Sequence, residues 1–465
     1  MFKNTKIVAT LGPSSDDYTT IKKMVQAGMN VARLNFSHGT HEHHAHLLKT
    51  VRKVAKNLDT PIAIIQDLQG PKIRVGELKK PVKVKKGQII KLSTKRAGKE
   101  SVTIVPLQYH SLPSEVKKDT TIFINDGLIE LKVLKTNRKD LIECKVICGG
   151  EITSRRGINV IDGCLKSATL TAKDKKDLAW GIKNKVDYIA LSFVKDAKDI
   201  RDLKRRLKGT DIKVIAKIER REAVEEKILE AIIKASDAIM VARGDLGVEV
   251  RPEYVPILQK RMIHLANEYA RPVITATQML QSMIHNPAPT RAEVSDVANA
   301  ILDHTDAVML SNETSTGPYP IKAVRIMKRI ATVTEEEMKR HEILMPTNIK
   351  NMPVICANAY AGVRLAFDME AHMIVVLTRT GESALKVAKY RPLKHNVIFT
   401  ADEKTKNQLS LVWGVNEIFC TNNFAKLTTK EIVQILKKEK LTFKGQEIII
   451  IDARERSRKI ETVVI

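Results

Sequence analysis

Three features of the 465-residue sequence predict an α/β protein built on a closed parallel (β/α)8 barrel of the TIM type. Eight short apolar, β-rich runs recur along it, the stretches between them carry apolar residues at helical spacing, and polar residues gather just past the runs. The runs are 5–10, 30–35, 61–67, 186–192, 213–218, 238–242, 272–276 and 307–310. Stretches such as 18–27 and 198–207 supply the helical repeats. The polar residues that follow are Asn35 with Ser37, Asp67, Ser192, Glu219, Asp245, Thr277, and Asn312 with Glu313. In such barrels the active site lies at this carboxyl-terminal rim.

Two segments break the rhythm. Between the third and fourth runs lie nearly ninety residues, far more than a connecting loop needs, with short strand-like pieces punctuated by Gly and Asn-Asp-Gly. They predict a small β-barrel inserted at the rim, where it can close as a lid. Past residue 342 a second α/β series begins and predicts an open-sheet domain. The expected division is therefore a barrel of residues 1–70 and 159–342, a lid of 71–158, and a carboxyl-terminal α/β domain of 343–465.

Bulk properties narrow the function classes. A hydrophobic content of 43% suffices for full cores, so no disulfide staples are needed. Five scattered Cys without a C-x-x-C pair indicate a reducing compartment, and no run approaches membrane-spanning length. The expectation is a cytoplasmic protein with no membrane association. The formal charge of +26 would attract anions of any size. Basic residues are spread along the chain, aromatics make up only 4%, and no nucleic-acid-binding signature occurs, so the expectation is solvated surface charge and no nucleic-acid partner.

Three strand ends carry the chemistry: Lys217-Ile218-Glu219, Ala242-Arg243-Gly244-Asp245 and Thr275-Ala276-Thr277-Gln278. Lys217 and Glu219 are two apart, so an extended chain points both the same way. Asp245 adds a second carboxylate beside Gly244 and Gly247, where backbone N–H groups can approach an anion closely. Acids without a nearby Cys or His favour a hard ion such as Mg²⁺. Metal, ammonium and amide donors around one point suit phosphoryl transfer, although each residue taken singly could equally form a rim salt bridge. In the last domain, the turn Thr378-Arg379-Thr380-Gly381-Glu382-Ser383 follows a strand and opens a helix, which suits either a phosphate or helix capping by Thr380. The histidines between His38 and His46 are expected at an exposed helix start rather than in a metal site.

Arg33-Leu34-Asn35-Phe36-Ser37-His38-Gly39, residues 67–74, Lys217-Ile218-Glu219, and residues 240–246, 275–280, 290–299 and 309–314 resemble, in order, the barrel motifs of the pyruvate kinases. The resemblance implies glycolytic phosphoryl transfer from phosphoenolpyruvate to ADP, giving ATP and pyruvate. By similarity Glu219 and Asp245 hold Mg²⁺, with Mn²⁺ as an alternative, and Lys217 lies against the migrating phosphoryl group. Ala242, Arg243 and Gly244 cradle the substrate carboxylate, Arg33 grips the phosphate, and Thr277 helps relay a proton to the enolate carbon. Arg74, Arg156, His38 and Asp126 are similar to nucleotide contacts of the family, and no Walker-type loop offers another seat. The resemblance further implies a homotetramer and an allosteric site for a sugar monophosphate or AMP at Thr378, Arg379, Thr380, Gly381 and Ser383.

Two other classes remain distinguishable. A metal-dependent aldolase or lyase acting on pyruvate enolate would cleave a carbon–carbon bond without ADP. A basic polyanion-binding scaffold would bind nucleic acid in a salt-sensitive way that survives Lys217→Ala.

The sequence departs from the family at three places. Residues 159–163 lack the usual Asn-Leu-Pro-Gly of the lid's return, and residues 451–458 stand where members activated by fructose 1,6-bisphosphate carry a Trp and a Gly-Ser-Gly loop. Potassium-requiring members carry Glu where this chain has Lys72 and Thr where it has Leu68. The sequence thus resembles the potassium-independent type, with the Lys72 ammonium substituting for K⁺ near Asn35, Ser37 and Asp67. Full turnover is expected in buffer free of K⁺ and NH₄⁺; a collapse of turnover there would refute the substitution.

Overall fold

The computed structural model describes residues 3–95, 103–125, 127–161, 169–338, 352–454 and 459–465. Asp126, residues 162–163, the expected domain boundary at 342 and residues 455–458 lie outside the described residues.

Eight parallel strands close the barrel in chain order: Lys6–Leu11, Val31–Asn35, Ala63–Asp67, Tyr188–Leu191, Lys213–Ile218, Ala238–Ala242, Val273–Ala276 and Ala307–Leu310. Strands of this kind are covered on both faces, which is why they read as unbroken apolar runs. Their inward residues, among them Val8, Ile65, Ala190, Ile215, Met240 and Ile274, stack into a barrel core. The outward residues form a larger core with the surrounding helices. Those helices begin where capping chemistry allows: Asp17 accepts from Thr20 N, and Thr171 and Thr290 form reciprocal capping boxes with Asp174 and Glu293.

The lid is a seven-stranded sheet curled until its edges meet at an isolated bridge between Val75 and Leu107, with a separate two-stranded ribbon. Its own core includes Ile90, Leu92, Leu131 and Val146. The return strand Gly157–Ile161 pairs with Thr121–Ile124 through its last residue. The lid sheet therefore runs three residues past the expected boundary at 158, because the ladder does not stop where the apolar pattern changes.

The last domain is a five-stranded sheet in which Val415–Cys420, His395–Thr400, Met373–Leu377 and Glu447–Asp452 are parallel and Lys459–Val464 is an antiparallel edge. This domain seals the amino-terminal mouth of the barrel. Leu411 joins the barrel core itself, a burial worth about 1.5–3 kcal/mol. Around it, Ser410 Oγ accepts from Ala63 N at 2.9 Å, Tyr188 donates to Gln408 O at 2.9 Å, and Arg391 pairs with buried Asp306 at 3.0 Å. Closure from below leaves the opposite rim as the open end.

Candidate active site

A cavity of about 980 Å³ opens at the carboxyl ends of the strands, lined by Arg33, Lys72, Gly244, Asp245, Thr277 and Asn312 among others. Beneath it lies a buried cluster of alternating charge. Lys217 projects inward two positions beyond Ile215, and its Nζ lies 2.9 Å from Glu219 Oε1 and 3.2 Å from Asp67 Oδ1 and donates to Ser192 Oγ at 2.7 Å. Arg33 donates to Asp67 Oδ2 through Nε at 2.7 Å and Nη2 at 2.6 Å, and through Nη1 to Thr10 Oγ1 at 2.9 Å. Glu219 Oε2 accepts from Phe193 N at 2.7 Å.

Burying such charges costs on the order of several kcal/mol per ion, and mutual pairing offsets it. The balance is visible in each group's proton affinity. Burial pushes Asp67 up, but Lys217 and Arg33 outweigh it and hold the carboxyl below its usual range. Burial works to lower Lys217, yet Asp67 and Glu219 raise it, so the ammonium stays charged. Glu219 is raised, by burial first, with Asp245 adding to it and Lys217 opposing. Asp245 thus adds to the burial that already favours the protonated form of Glu219.

Asp245 stands in the short helix Arg243–Glu249 that follows its strand, and its Oδ1 lies 2.8 Å from Lys72 Nζ. The Arg243 guanidinium is committed to structure: it binds Asp296 at 2.7 Å and Thr277 O at 2.6 Å. Gly244 N donates to Thr277 Oγ1 at 2.8 Å, and that hydroxyl donates to Ala276 O at 2.6 Å. Thr277 has φ +69° and Gln278 φ +57°, a left-handed conformation that non-glycine residues hold only when their surroundings enforce it.

The remaining predicted residues are more dispersed. Asn35 Oδ1 accepts from Ser37 N at 3.2 Å, and Leu68 is buried with its carbonyl accepting from Ser192 at 2.7 Å. The Lys72 ammonium, which lines the same cavity as Asn35, binds Asp245. His38 is exposed at the cavity edge, its basicity lowered by burial of part of the ring and by Arg74, Arg33 and Lys72. Arg74 donates to Arg155 O at 3.0 Å and Arg156 to Thr153 Oγ1 at 2.8 Å, both within the lid. In the last domain Thr378 and Ser383 are buried while Arg379 and Thr380 are exposed, and Thr380 and Glu382 share a cleft of about 130 Å³ with Lys213, Asp237 and Arg271 of the barrel. The helix there begins after Gly381, which sits at φ +82°. Its N–H donates to Thr378 Oγ1 at 3.1 Å, so Thr378 ties the turn and Thr380, the alternative to a phosphate site there, does not cap the helix.

Thr10, Ser192 and Asp296 were not singled out for roles, yet they orient Arg33, Lys217 and Arg243. Thr10 lies two positions beyond Val8 on the inward face, a period-two signal that marks it as rim-facing.

The donor set fits a hard divalent ion. Glu219 and Asp245 offer only oxygen, and each is now met by an ammonium. Among the described residues no group of three or more His, Cys, Asp or Glu side chains is arranged to hold a metal. Two carboxylates are therefore a partial sphere, the arrangement Mg²⁺ takes when substrate oxygens and water complete it. Also among the described residues, no helix is long and apolar enough to cross a membrane.

A closed barrel with an ammonium, a guanidinium and two acids converging at its carboxyl-terminal rim under an inserted sheet defines a phosphotransferase of the barrel class. Comparison with known proteins specifies it. Residues 2–324 match the pyruvate kinase barrel domain and residues 357–465 the pyruvate kinase alpha/beta domain. Pyruvate kinase 2 of Synechocystis sp. is 43% identical over 425 residues, covering 90% of this chain and 70% of that protein. Pyruvate kinase of Staphylococcus epidermidis is 40% identical over 423 residues, covering 90% and 72%. The crystal structure of a pyruvate kinase from Cryptosporidium parvum superposes with a TM-score of 0.91 at 34% identity, covering 99% of this chain and 96% of that one. The chain belongs to the pyruvate kinase family.

Glu249, at the end of the short helix that carries Asp245, has a carboxyl pushed up to about 7 by burial, with Asn159 and Arg220 opposing. The folded state therefore binds this proton more tightly than the unfolded state, and its stabilising effect, complete below pH of about 4.5, is lost as pH rises through about 7. Glu249→Gln should match the wild type in stability at pH 4 and exceed it by up to about 3 kcal/mol above pH 7 in metal-free denaturant titrations. A difference independent of pH would contradict the assignment.

Proposed function

We propose that the buried cluster and the cradle above it carry the reaction of this family, transfer of the phosphoryl group of phosphoenolpyruvate to ADP, giving ATP and, after protonation of the enolate, pyruvate. The observation that carries the proposal is Lys217: a charged ammonium, 9% exposed, held at a strand end by Ser192, Glu219 and Asp67. Such a group needs no reorganisation to meet the charge that spreads over the phosphoryl oxygens in transfer. Arg33, its fork fixed by Asp67 and Thr10, grips the phosphate as a planar donor. The backbone of Ala242, Arg243 and Gly244 receives the carboxylate, because Arg243 is tied back by Asp296. Glu219 and Asp245 would hold Mg²⁺ or Mn²⁺, which would supply charge neutralisation for the phosphoryl group. Thr277, its hydroxyl fixed between Gly244 N and Ala276 O, orders the water that protonates the enolate carbon. His38, Arg74 and Arg156 receive the nucleotide, whose phosphates reach the cavity beside Lys72.

Regulation extends the same reading. In a homotetramer, the phosphate of a sugar monophosphate or AMP sits at the turn 378–383, next to a cleft that brings Lys213 and Arg271, together with Asp237, from the barrel side. Titration calorimetry should register binding of one of these ligands; heats of dilution alone for every one would remove the regulatory half.

A coupled assay should detect pyruvate from phosphoenolpyruvate only when ADP is present. Lys217→Met should lower kcat on the order of 10²–10³-fold while KM changes little, since it removes charge matched to the transition state. If affinity alone fell, the role given to Lys217 would be wrong.

A further inference from the structure

The lid joins the barrel through a two-stranded stalk in which Ile73–Arg74 pairs antiparallel with Gly157–Ile158. Its root is pinned. Gly70, at φ +68°, packs so closely that a Cβ would meet Ser192 Cβ at 2.8 Å, and its N–H donates to Asp174 at 3.1 Å. Lys72 leaves from this fixed point and passes over Gly157 of the return strand, where a Cβ would meet Lys72 Cε at 3.0 Å. The ammonium thereby reaches Asp245 Oδ1 at 2.8 Å, with the two side chains 23% and 24% exposed. The return strand makes a second contact with the same helix, Asn159 Nδ2 to Glu249 Oε1 at 3.4 Å. Both arms of the stalk thus hold Arg243–Glu249, the helix that also supplies the cradle.

From this geometry we infer that Lys72 is a latch, a tethered cation that occupies the Asp245 carboxylate while the divalent ion is absent and is displaced when the ion binds, so that metal loading and lid position are coupled. The inference rests on Asp245 being a metal ligand, as proposed above. One carboxylate oxygen set cannot serve an ammonium and a divalent ion at full strength at once, and what binds one state at the expense of the other shifts the equilibrium between them. Lys72 is accordingly a positioning residue whose partner changes with metal.

The test uses the full-length protein without substrates. Mn²⁺ binding is followed by electron paramagnetic resonance in the wild type, Lys72→Gln, Lys83→Gln and Asp245→Asn. Lid position is followed in the first two by distances between spin labels on lid and barrel, with and without Mg²⁺. Lys83 is an exposed lid residue and controls for loss of one charge. The latch predicts that Lys72→Gln binds Mn²⁺ roughly three- to tenfold more tightly than wild type, the size expected of a partly exposed pair, while Lys83→Gln is unchanged. It also predicts that metal-free Lys72→Gln has the lid distances that the wild type adopts only with Mg²⁺. Wild-type Mn²⁺ affinity or wild-type metal-free lid distances in Lys72→Gln, with binding lost in Asp245→Asn, would overturn the latch and leave the metal site standing. Unchanged binding in Asp245→Asn would overturn both.

Discussion

Lys217 lies beneath the rim between two acids, and the site is organised around keeping that ammonium charged in a place that water scarcely reaches. Burial alone would weaken its hold on the proton; paired with Asp67 and Glu219, it holds the proton more firmly than a free lysine. The acids are in turn governed by their neighbours. Arg33 shares Asp67, and Asp245 disturbs Glu219, so the cluster of Arg33, Asp67, Lys217 and Glu219 is neutral in formal charge, with the neighbouring Asp245 met by Lys72. A buried network of this kind contributes little to stability for its desolvation cost. Its value lies in charges that are already oriented when a phosphate arrives.

Barrel closure makes the cluster achievable. Arg33, Asp67, Lys217 and Glu219 come from three strands and the residue just past one of them, and only a closed parallel sheet brings those ends to one ring. The cradle is built with equal economy of motion: Arg243 binds backward to Asp296 and the Thr277 carbonyl, and a left-handed Thr277 presents its hydroxyl to Gly244 N. At the other mouth, Leu411 and the Arg391–Asp306 pair join the last domain to the barrel core.

Much of this was legible in the sequence. Buried parallel strands declare themselves as apolar runs, and all eight fell within two residues of their observed ends. The shared face of Lys217 and Glu219 followed from a spacing of two. What escaped were partners distant along the chain. Thr10 is 23 residues from Arg33 and Asp296 is 53 from Arg243, separations at which local pattern carries no pairing information. For the same reason nothing near Lys72 in the sequence announces its partner Asp245, 173 residues away. The lid's return strand continues its ladder through residue 161, and Thr378 ties the turn while Gly381 takes the cap position.

The decisive observation is where a divalent ion and the phosphate sit relative to Lys217. Crystals grown with Mn²⁺ and phosphoenolpyruvate, measured at the manganese absorption edge, should give an anomalous peak between Glu219 and Asp245, with the phosphate beside Lys217 Nζ and Arg33. A peak elsewhere, or a phosphate bound out of reach of Lys217, would contradict it.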